Sequence, residues 1–412
     1  MTALTDIRPA RAATATGRWP AVAASIFAIA WGGNEFTPLL VMYKANGLPA
    51  TTVDLLLFHY VLGIVPALLI GGPMSDRYGR RPLMRPAPLI AAAGSLLLAF
   101  GADSVPMLSA GRVLCGIALG LAMAVGSSWL KELSQPPFDR DRGAGIGARR
   151  SAMSLTAGFA VGAGVAGVLA QWAPWPHSLA YLINVALCLA AATQVARAPE
   201  TVVSQADPGR LRDDLRIPVA GYRRFGAVVV PVASWLFASA ATAYAVMPTL
   251  MAPRVHGAPI AFSALITAIT LSCGFAIQSV ARRIDEPGTA RAAVVSLLFV
   301  VCGMVAAVAA AHVLTMWATI LTACVLGAGY GIGMVAGLQE IERIARPDDL
   351  AGLTAVFYSV SYLGFGVPAI LASLHKSVGF GYPAMFAVGV VAAVGCLALV
   401  LRNYRVRDDA SR

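Results

Sequence analysis

The stretch Gly72-Pro73-Met74-Ser75-Asp76-Arg77-Tyr78-Gly79-Arg80-Arg81-Pro82-Leu83 is a short charged segment between two long apolar runs. Its arginines alone would suit any cytoplasmic loop beside a membrane-spanning helix. That rule does not account for Asp76 and Gly79 at these spacings. The runs on either side, near residues 54–73 and 86–103, are each long enough to cross hydrocarbon as a helix.

Runs of this kind recur along the chain. Of 412 residues, 58% are hydrophobic and 12% charged, whereas soluble domains carry about 25% charged residues. Mean hydropathy is +0.73. The runs are continuously apolar rather than alternating, which points to helices and not a barrel. The reading is an all-α polytopic membrane protein. Twelve spans are expected, near 20–43, 54–73, 86–103, 105–128, 150–171, 179–197, 225–250, 260–281, 293–310, 313–338, 353–373 and 382–401. The first run is too long for a signal-peptide core and has no small-residue cleavage signal, so it reads as a retained span.

The net charge of +11 is not a nucleic-acid signature, because the arginines sit in short loops with no aromatic interleaving. They fall in alternate loops: Arg8, Arg11 and Arg18; then the Asp76 loop with Arg85; then Lys131 to Arg150; then Arg197 to Arg224; and so on to Arg402 and Arg405. The other loops carry only Lys44, Arg254 and Lys376. This asymmetry predicts a multi-pass protein of the cell (inner) membrane with both termini cytoplasmic. All six cysteines lie in apolar runs without metal-ligand spacing, so neither disulfides nor a metal site is expected. No phosphate-binding glycine loop for nucleotide is present. No Ser/His/Asp arrangement suggests a hydrolase, and no cofactor or enzymatic activity is expected.

The longest polar segment, 198–224, contains Asp207-Pro208-Gly209 and Ile217-Pro218, which break helices. It reads as a cytoplasmic linker between six-helix bundles at 20–197 and 225–401, with residues 1–19 and 402–412 as cytoplasmic tails. Arg210–Arg216 reads either as a short surface helix or as irregular linker. An internal repeat supports two pseudo-symmetric halves. Asn34 precedes Pro38 by four residues and Tyr244 precedes Pro248 by four. Gly116 and Gly120 recur as Gly327 and Gly331, 211 positions later. Parallel repeats about an axis along the membrane normal are a transporter architecture, with the substrate site near midplane.

Glu35 lies inside the first span, in Trp31-Gly32-Gly33-Asn34-Glu35-Phe36-Thr37-Pro38. Intramembrane acids usually face a cavity or a partner and mark a transport or proton path. Arg112 is the one basic residue placed within a span. It reads either as a buried functional cation or as a side chain snorkelling to the outer surface. At 1.5 Å per residue, Glu35 and Arg112 lie about 6 and 7 Å outward of their helix centres, a similar depth. His59 is at much the same level, as a packing residue or a proton relay. The aromatic residues Trp31, Phe36, Trp235, Tyr244, Tyr330, Phe357, Tyr358 and Tyr362 fall on the first, seventh, tenth and eleventh spans. Of these Trp31, Phe36, Trp235, Tyr244, Tyr330 and Tyr358, together with Asn34, are the candidates to line a substrate cavity.

The Asp76 loop resembles the G-x-x-x-D-R-x-G-R-R signature of the major facilitator superfamily. Leu108, Gly111, Arg112 and Gly116 are similar to that superfamily's fourth-helix motif, with Cys115 where glutamine is usual. Gly158, Gly162 and Gly167 resemble its antiporter motif in the fifth helix, with Ala163 in place of proline. The same glycines also suit a plain helix–helix contact. Gly33-Asn34-Glu35 with Pro38, and Gln171-Trp172-Ala173-Pro174-Trp175, look like the twelve-helix drug/proton antiporter branch. The resemblance implies that Gly72, Asp76, Arg77, Gly79, Arg80 and Arg81 form a conformational latch, with Asp76 docking near the start of the eleventh helix around Leu353. It also implies a monomer in membrane lipid that exports small hydrophobic or amphipathic compounds in exchange for protons, through Glu35 and Arg112. The alternatives are uptake of a small nutrient on the same fold, or a non-transporting receptor.

Overall fold

The computed structural model describes residues 18–139, 145–202, 222–346 and 349–405. Among them are twelve membrane helices. The first, α1, comprises Trp19–Asn34 and Phe36–Ala45, interrupted at Glu35. Then follow α2 (Ala50–Tyr78), α3 (Arg80–Phe100), α4 (Val105–Leu133), α5 (Ile146–Trp172) and α6 (Leu179–Val195). The last six are α7 (Phe225–Arg254), α8 (Pro259–Ile284), α9 (Arg291–Val313), α10 (Met316–Ile344), α11 (Leu350–Val378) and α12 (Tyr382–Arg402). Ten of the described helices are long and apolar enough to cross a membrane, some with a short break such as that at Arg85–Pro86 in α3. Helix α6, with 17 residues, spans about 26 Å.

The helices outrun the apolar windows at the end of the bundle that carries most arginines. The second span is expected to stop near 73, whereas α2 continues to Tyr78; the tenth is expected to stop near 338, whereas α10 continues to Ile344. Hydropathy senses only the part that must sit in hydrocarbon. Backbone bonding continues beyond it, where water tolerates charged side chains. The segment Arg210–Arg216 lies outside the described residues.

The repeat appears as a repeated contact. A Cβ on Gly116 would lie 2.1 Å from the Tyr60 carbonyl oxygen, so α4 meets α2 backbone to backbone. In the second half, a Cβ on Gly331 would lie 2.0 Å from the Gly274 carbonyl oxygen, and one on Gly327 2.4 Å from that of Thr270. Thus α10 meets α8 as α4 meets α2. Gly63 on α2 and Gly274 on α8 complete the set, again 211 positions apart. Where helices associate without a hydrophobic driving force, small residues permit the close packing that holds them.

Helices α1 and α7 lose regularity at corresponding places. Pro38 and Pro248 have no N–H to give the carbonyls of Asn34 and Tyr244. The bonding of α1 is interrupted at Glu35, and α7 carries a π-helical turn at Thr242–Val246. Such irregular turns recur at functional sites.

The two halves touch at the end with few arginines. Lys44 pairs with Asp54 at 2.7 Å and also donates to Thr249 Oγ1 of α7 at 3.2 Å. The Gln171 side-chain oxygen of α5 accepts from the backbone N–H groups of Ile260 and Ala261, at 3.0 and 3.3 Å. These are among the unpaired donors at the start of α8. The Gln171 amide also donates to the Gly257 carbonyl.

Candidate functional site

A cavity lies between the halves. Its first-half wall is Gly33, Asn34 and Thr37 of α1, Leu57 and Tyr60 of α2, Arg112 and Leu119 of α4, and Phe159 of α5. Its second-half wall is Phe237 and Tyr244 of α7, Leu271 of α8, Tyr330 of α10, and Tyr362 and Phe365 of α11. The free volume is about 30 Å³ for the centres of water-sized molecules. That is room for about two waters with the walls as they stand, so an organic solute enters only as the halves move apart.

Arg112 is fully buried and does not snorkel. Its guanidinium sits 4.6 Å from the centre of the Phe36 ring and 4.2 Å from that of Tyr60. Cation–π attraction of this kind strengthens when desolvated. Its Nε and Nη1 make long bonds to the carbonyls of Leu56 (3.4 Å) and Gly33 (3.5 Å). Its Nη2 has no partner.

Glu35 is also fully buried, but it does not line the cavity. It points into the first half, toward α3 and α6. Ser95 Oγ lies 3.4 Å from Glu35 Oε1 and 2.8 Å from Asn184 Oδ1. A hydroxyl carries one proton, so Ser95 donates to only one of them at a time. Asn184 is oriented by its own donation to the Ala28 carbonyl at 2.8 Å. Gly32 makes room for it, since a Cβ there would lie 2.6 Å from Asn184 Oδ1. Glu35 Oε2 has no partner, and no ion pair joins Glu35 to Arg112 among the described residues. The acid and the base are neighbours in one low-dielectric cluster, with Arg112 on the cavity side.

Of the aromatic candidates, Tyr244 and Tyr330 line the cavity, as does Asn34. The other four are corrected. Phe36 lies behind the wall as one of the rings over Arg112. Trp31 is buried beside Phe27, with ring centres 6.0 Å apart. Trp235 and Tyr358 pack within the second half. Opposite Arg112, Phe237 stacks on Tyr362 at 4.4 Å and on Phe365 at 4.9 Å; sequence reasoning named Tyr362 among the membrane aromatics but missed Phe237 and Phe365. The signal present was aromatics recurring at Phe237 and Tyr244, and at Phe357–Tyr358 and Tyr362–Phe365, but helix rotation decides which of them face inward. His59 is half-buried outside the cavity wall, with Nδ1 unpartnered.

The helix-5 glycines are explained by packing. A Cβ on Gly158 would lie 2.5 Å from the Phe27 carbonyl oxygen, and one on Gly162 2.5 Å from that of Trp31. Gly167 faces Ala264 of α8 across the halves.

At the arginine-rich end, Arg80 is the hub of the Asp76 loop. It pairs with Glu132 of α4 at 2.8 Å and with Asp76 at 2.6 Å, and it donates to Ser75. Asp76 is 61% exposed on its side chain. Its described partner is Arg80, and no hydrogen bond or ion pair joins it to α11 among the described residues. Leu353 is instead buried with Phe357 and Phe225. Arg77 is buried, and Gly72 faces open space. Gly79 has φ +96°, a conformation that suits glycine. Opposite it, Glu200 accepts from the backbone N–H groups of Arg80 and Arg81, both at 2.9 Å. Arg81 also reaches the Ala196 carbonyl. Sequence reasoning missed Glu200, a carboxylate capping the start of α3 where the helix dipole favours it. In the second half the charges are exchanged. Asp285 in the loop pairs with Arg343 of α10, and Glu340 holds Arg224 at 2.7 Å.

The sequence profile described as Major Facilitator Superfamily matches residues 21–369. The facilitated glucose transporter member 10 of solute carrier family 2 from Mus musculus is 33% identical over 137 residues, covering 33% of this chain and 24% of that protein. The 3-(3-hydroxy-phenyl)propionate transporter of Escherichia coli (strain K12) is 29% identical over 131 residues, covering 31% of this chain and 32% of that one. The matches thus span a third or less of these curated relatives. The crystal structure of a D-xylose-proton symporter superposes with a TM-score of 0.66 at 16% identity, covering 93% of this chain and 97% of that one, a likeness of fold. The twelve helices, the repeated halves and the profile match over most of the chain together show that this protein belongs to the Major Facilitator Superfamily.

Proposed function

We propose that the chain is a proton-coupled secondary transporter of small organic solutes that works by alternating access. Glu35 carries the proton, and Arg112 is its electrostatic partner at the cavity wall. The observation behind this reading is a wholly buried acid one layer behind a wholly buried, cavity-lining base. When Glu35 is ionised, Ser95 donates to it; when Glu35 is protonated, Ser95 donates to Asn184. The proton therefore changes the bonding between α1, α3 and α6, the kind of differential contact a transport cycle needs.

The arginine-rich end is taken as the cytoplasmic face. The contacts of Lys44 and Gln171 then close the outer side, so the cavity would exchange with the cytoplasm. Arg80 holding Asp76 and Glu132 is the latch at rest, and Asp76 engages α11 only when the cavity turns outward. The units are the bundles 20–197 and 225–401, acting as a monomer.

Uptake is the direction favoured here. Among the described residues no carboxylate lines the cavity to attract a cationic drug, the helix-5 glycines have a packing role, and the named relatives carry glucose and a phenylpropionate. Efflux of amphipathic compounds by proton exchange is the competing reading, favoured by the aromatic wall. Proteoliposomes with an imposed pH gradient test both against a panel of sugars, aromatic acids and lipophilic cations. Accumulation on the alkaline side supports uptake with protons, accumulation on the acid side supports exchange, and indifference to the gradient refutes proton coupling.

A further inference from the structure

Among the described residues, Arg112 is the one charged side chain lining the central cavity, and no acid lines it. Its bonds are long and Nη2 is unpartnered, although the side chain is fully buried. A buried guanidinium with a free donor edge is costly unless an anion meets it, and its fork matches a carboxylate. The facing wall, Phe237 with Tyr362 and Phe365, offers flat apolar surface, while Asn34 and Thr37, joined to each other at 2.8 Å, supply neutral polar side chains on the α1 side. We infer that the solute is a small organic monoanion, a carboxylate on an aromatic or apolar body. Its carboxylate sits on Arg112, and it crosses together with one proton on Glu35.

The coupling follows from counting charges. The cluster holds one cation and one internal anion. An incoming carboxylate would leave two anions against one cation in a low-dielectric site, where like charges repel strongly. Protonating Glu35 removes the conflict. The anion therefore favours the proton and the proton favours the anion, which is symport with no net charge moved. The other titratable groups around Glu35 are Tyr43, Tyr60, Cys115, Tyr181 and Cys188, with His59 near Arg112. The phenols and thiols ordinarily titrate above neutrality, so they supply no competing anion. The inference rests on the transporter reading above.

The test uses the purified full chain and benzoate, phenylacetate and hexanoate, each beside its neutral amide and its amine analogue. In thermal-shift titrations at least one acid should stabilise the protein, more strongly at pH 5.5 than at pH 8. Its amide should bind roughly ten- to a hundredfold more weakly, the cost of losing a charged hydrogen-bond partner. Arg112→Gln should abolish the difference between acid and amide, and Arg112→Lys should retain part of it. If Arg112→Gln does not fold, the acid–amide comparison on the unaltered protein decides. In proteoliposomes, corrected for leakage through protein-free vesicles, uptake of the bound acid should follow a pH gradient and ignore a potassium-valinomycin potential. Equal binding of acid and amide, binding of amines alone, or no binding by any acid overturns the inference. Gradient-driven uptake of a neutral solute would do so while leaving the transporter reading intact. Acid binding with no gradient-driven flux would overturn the coupling and leave the anion site standing.

Discussion

Replacing Glu35 with glutamine isolates the proton from the rest of the site. Glutamine keeps the size of the side chain and its hydrogen-bonding capacity but cannot ionise. Ser95 and Asn184 would still be satisfied, so the fold should survive. The magnitude follows from the count of available acids. Asp54 and Glu340 are also buried, but each is held in an ion pair near a helix end, with Lys44 and with Arg224 and Arg343. Glu35 is the buried acid near midplane without such a pair among the described residues. One proton per cycle stores about 1.36 kcal/mol per pH unit, equivalent to about tenfold accumulation. With a gradient of two pH units, the unaltered protein should reach about a hundredfold accumulation of its solute, and Glu35→Gln should reach equality of concentrations. Exchange of labelled for unlabelled solute without a gradient should persist. Paired accumulation and exchange assays in proteoliposomes read both quantities. Full accumulation by Glu35→Gln would refute the reasoning and move the proton to His59 or out of the mechanism. Loss of both activities in a folded variant would mean that Glu35 serves binding rather than coupling.

Four further expectations follow from the packing. Burial raises the Glu200 pKa, but the N–H groups of Arg80, Arg81, Val202 and Thr201 outweigh it and hold the carboxyl below the usual range. A folded-state pKa below the unfolded value near 4.3 gives stability that is present above that value and lost as pH falls through the folded pKa. Glu200→Gln should therefore cost about 1 kcal/mol near neutrality, a typical cap value, and the difference in melting temperature should vanish in acid below the folded pKa. Gly116→Ala places a methyl against the Tyr60 carbonyl and should cost about 1–3 kcal/mol, whereas Gly164→Ala, with nothing near it, should be neutral; thermal unfolding in detergent measures both. Gln171→Ala removes the bonds from α5 to the start of α8, each worth about 0.5–1.5 kcal/mol, and should widen the spin-label distance between Trp175 and His256 positions. Asp76→Asn should slow transport with little change in solute affinity, because it acts on the equilibrium between states; lost binding at unchanged turnover would refute the latch.

How much was legible in the sequence varies by residue. The depth agreement of Glu35 and Arg112 was legible, since depth follows from counting residues along each helix. The Asp76 loop was legible as a device, yet its partner Glu132 was not, because the two are distant in sequence and joined only when α4 returns to the arginine-rich end. Glu200 reads in sequence as one more acid in a polar linker, and its role exists only because its carboxylate is brought against the first residues of α3. The expected contact of Asp76 with the start of α11 is not among the contacts of the described residues, and a loop signature does not state which partner its carboxylate holds.

The sequence by itself determined the class, the twelve spans, the repeat and the position of one acid, Glu35, and one base, Arg112, well inside a span. Each of these follows from the cost of placing polar groups in hydrocarbon, and that cost is paid helix by helix. The tertiary structure alone decided which way each helix turns. A membrane helix that is apolar on every side carries almost no pattern to fix its rotation, which neighbouring helices set through close contacts such as Gly116 against Tyr60. That rotation put Arg112, Phe237 and Tyr362 on the cavity wall and turned Glu35 away from it, toward Ser95.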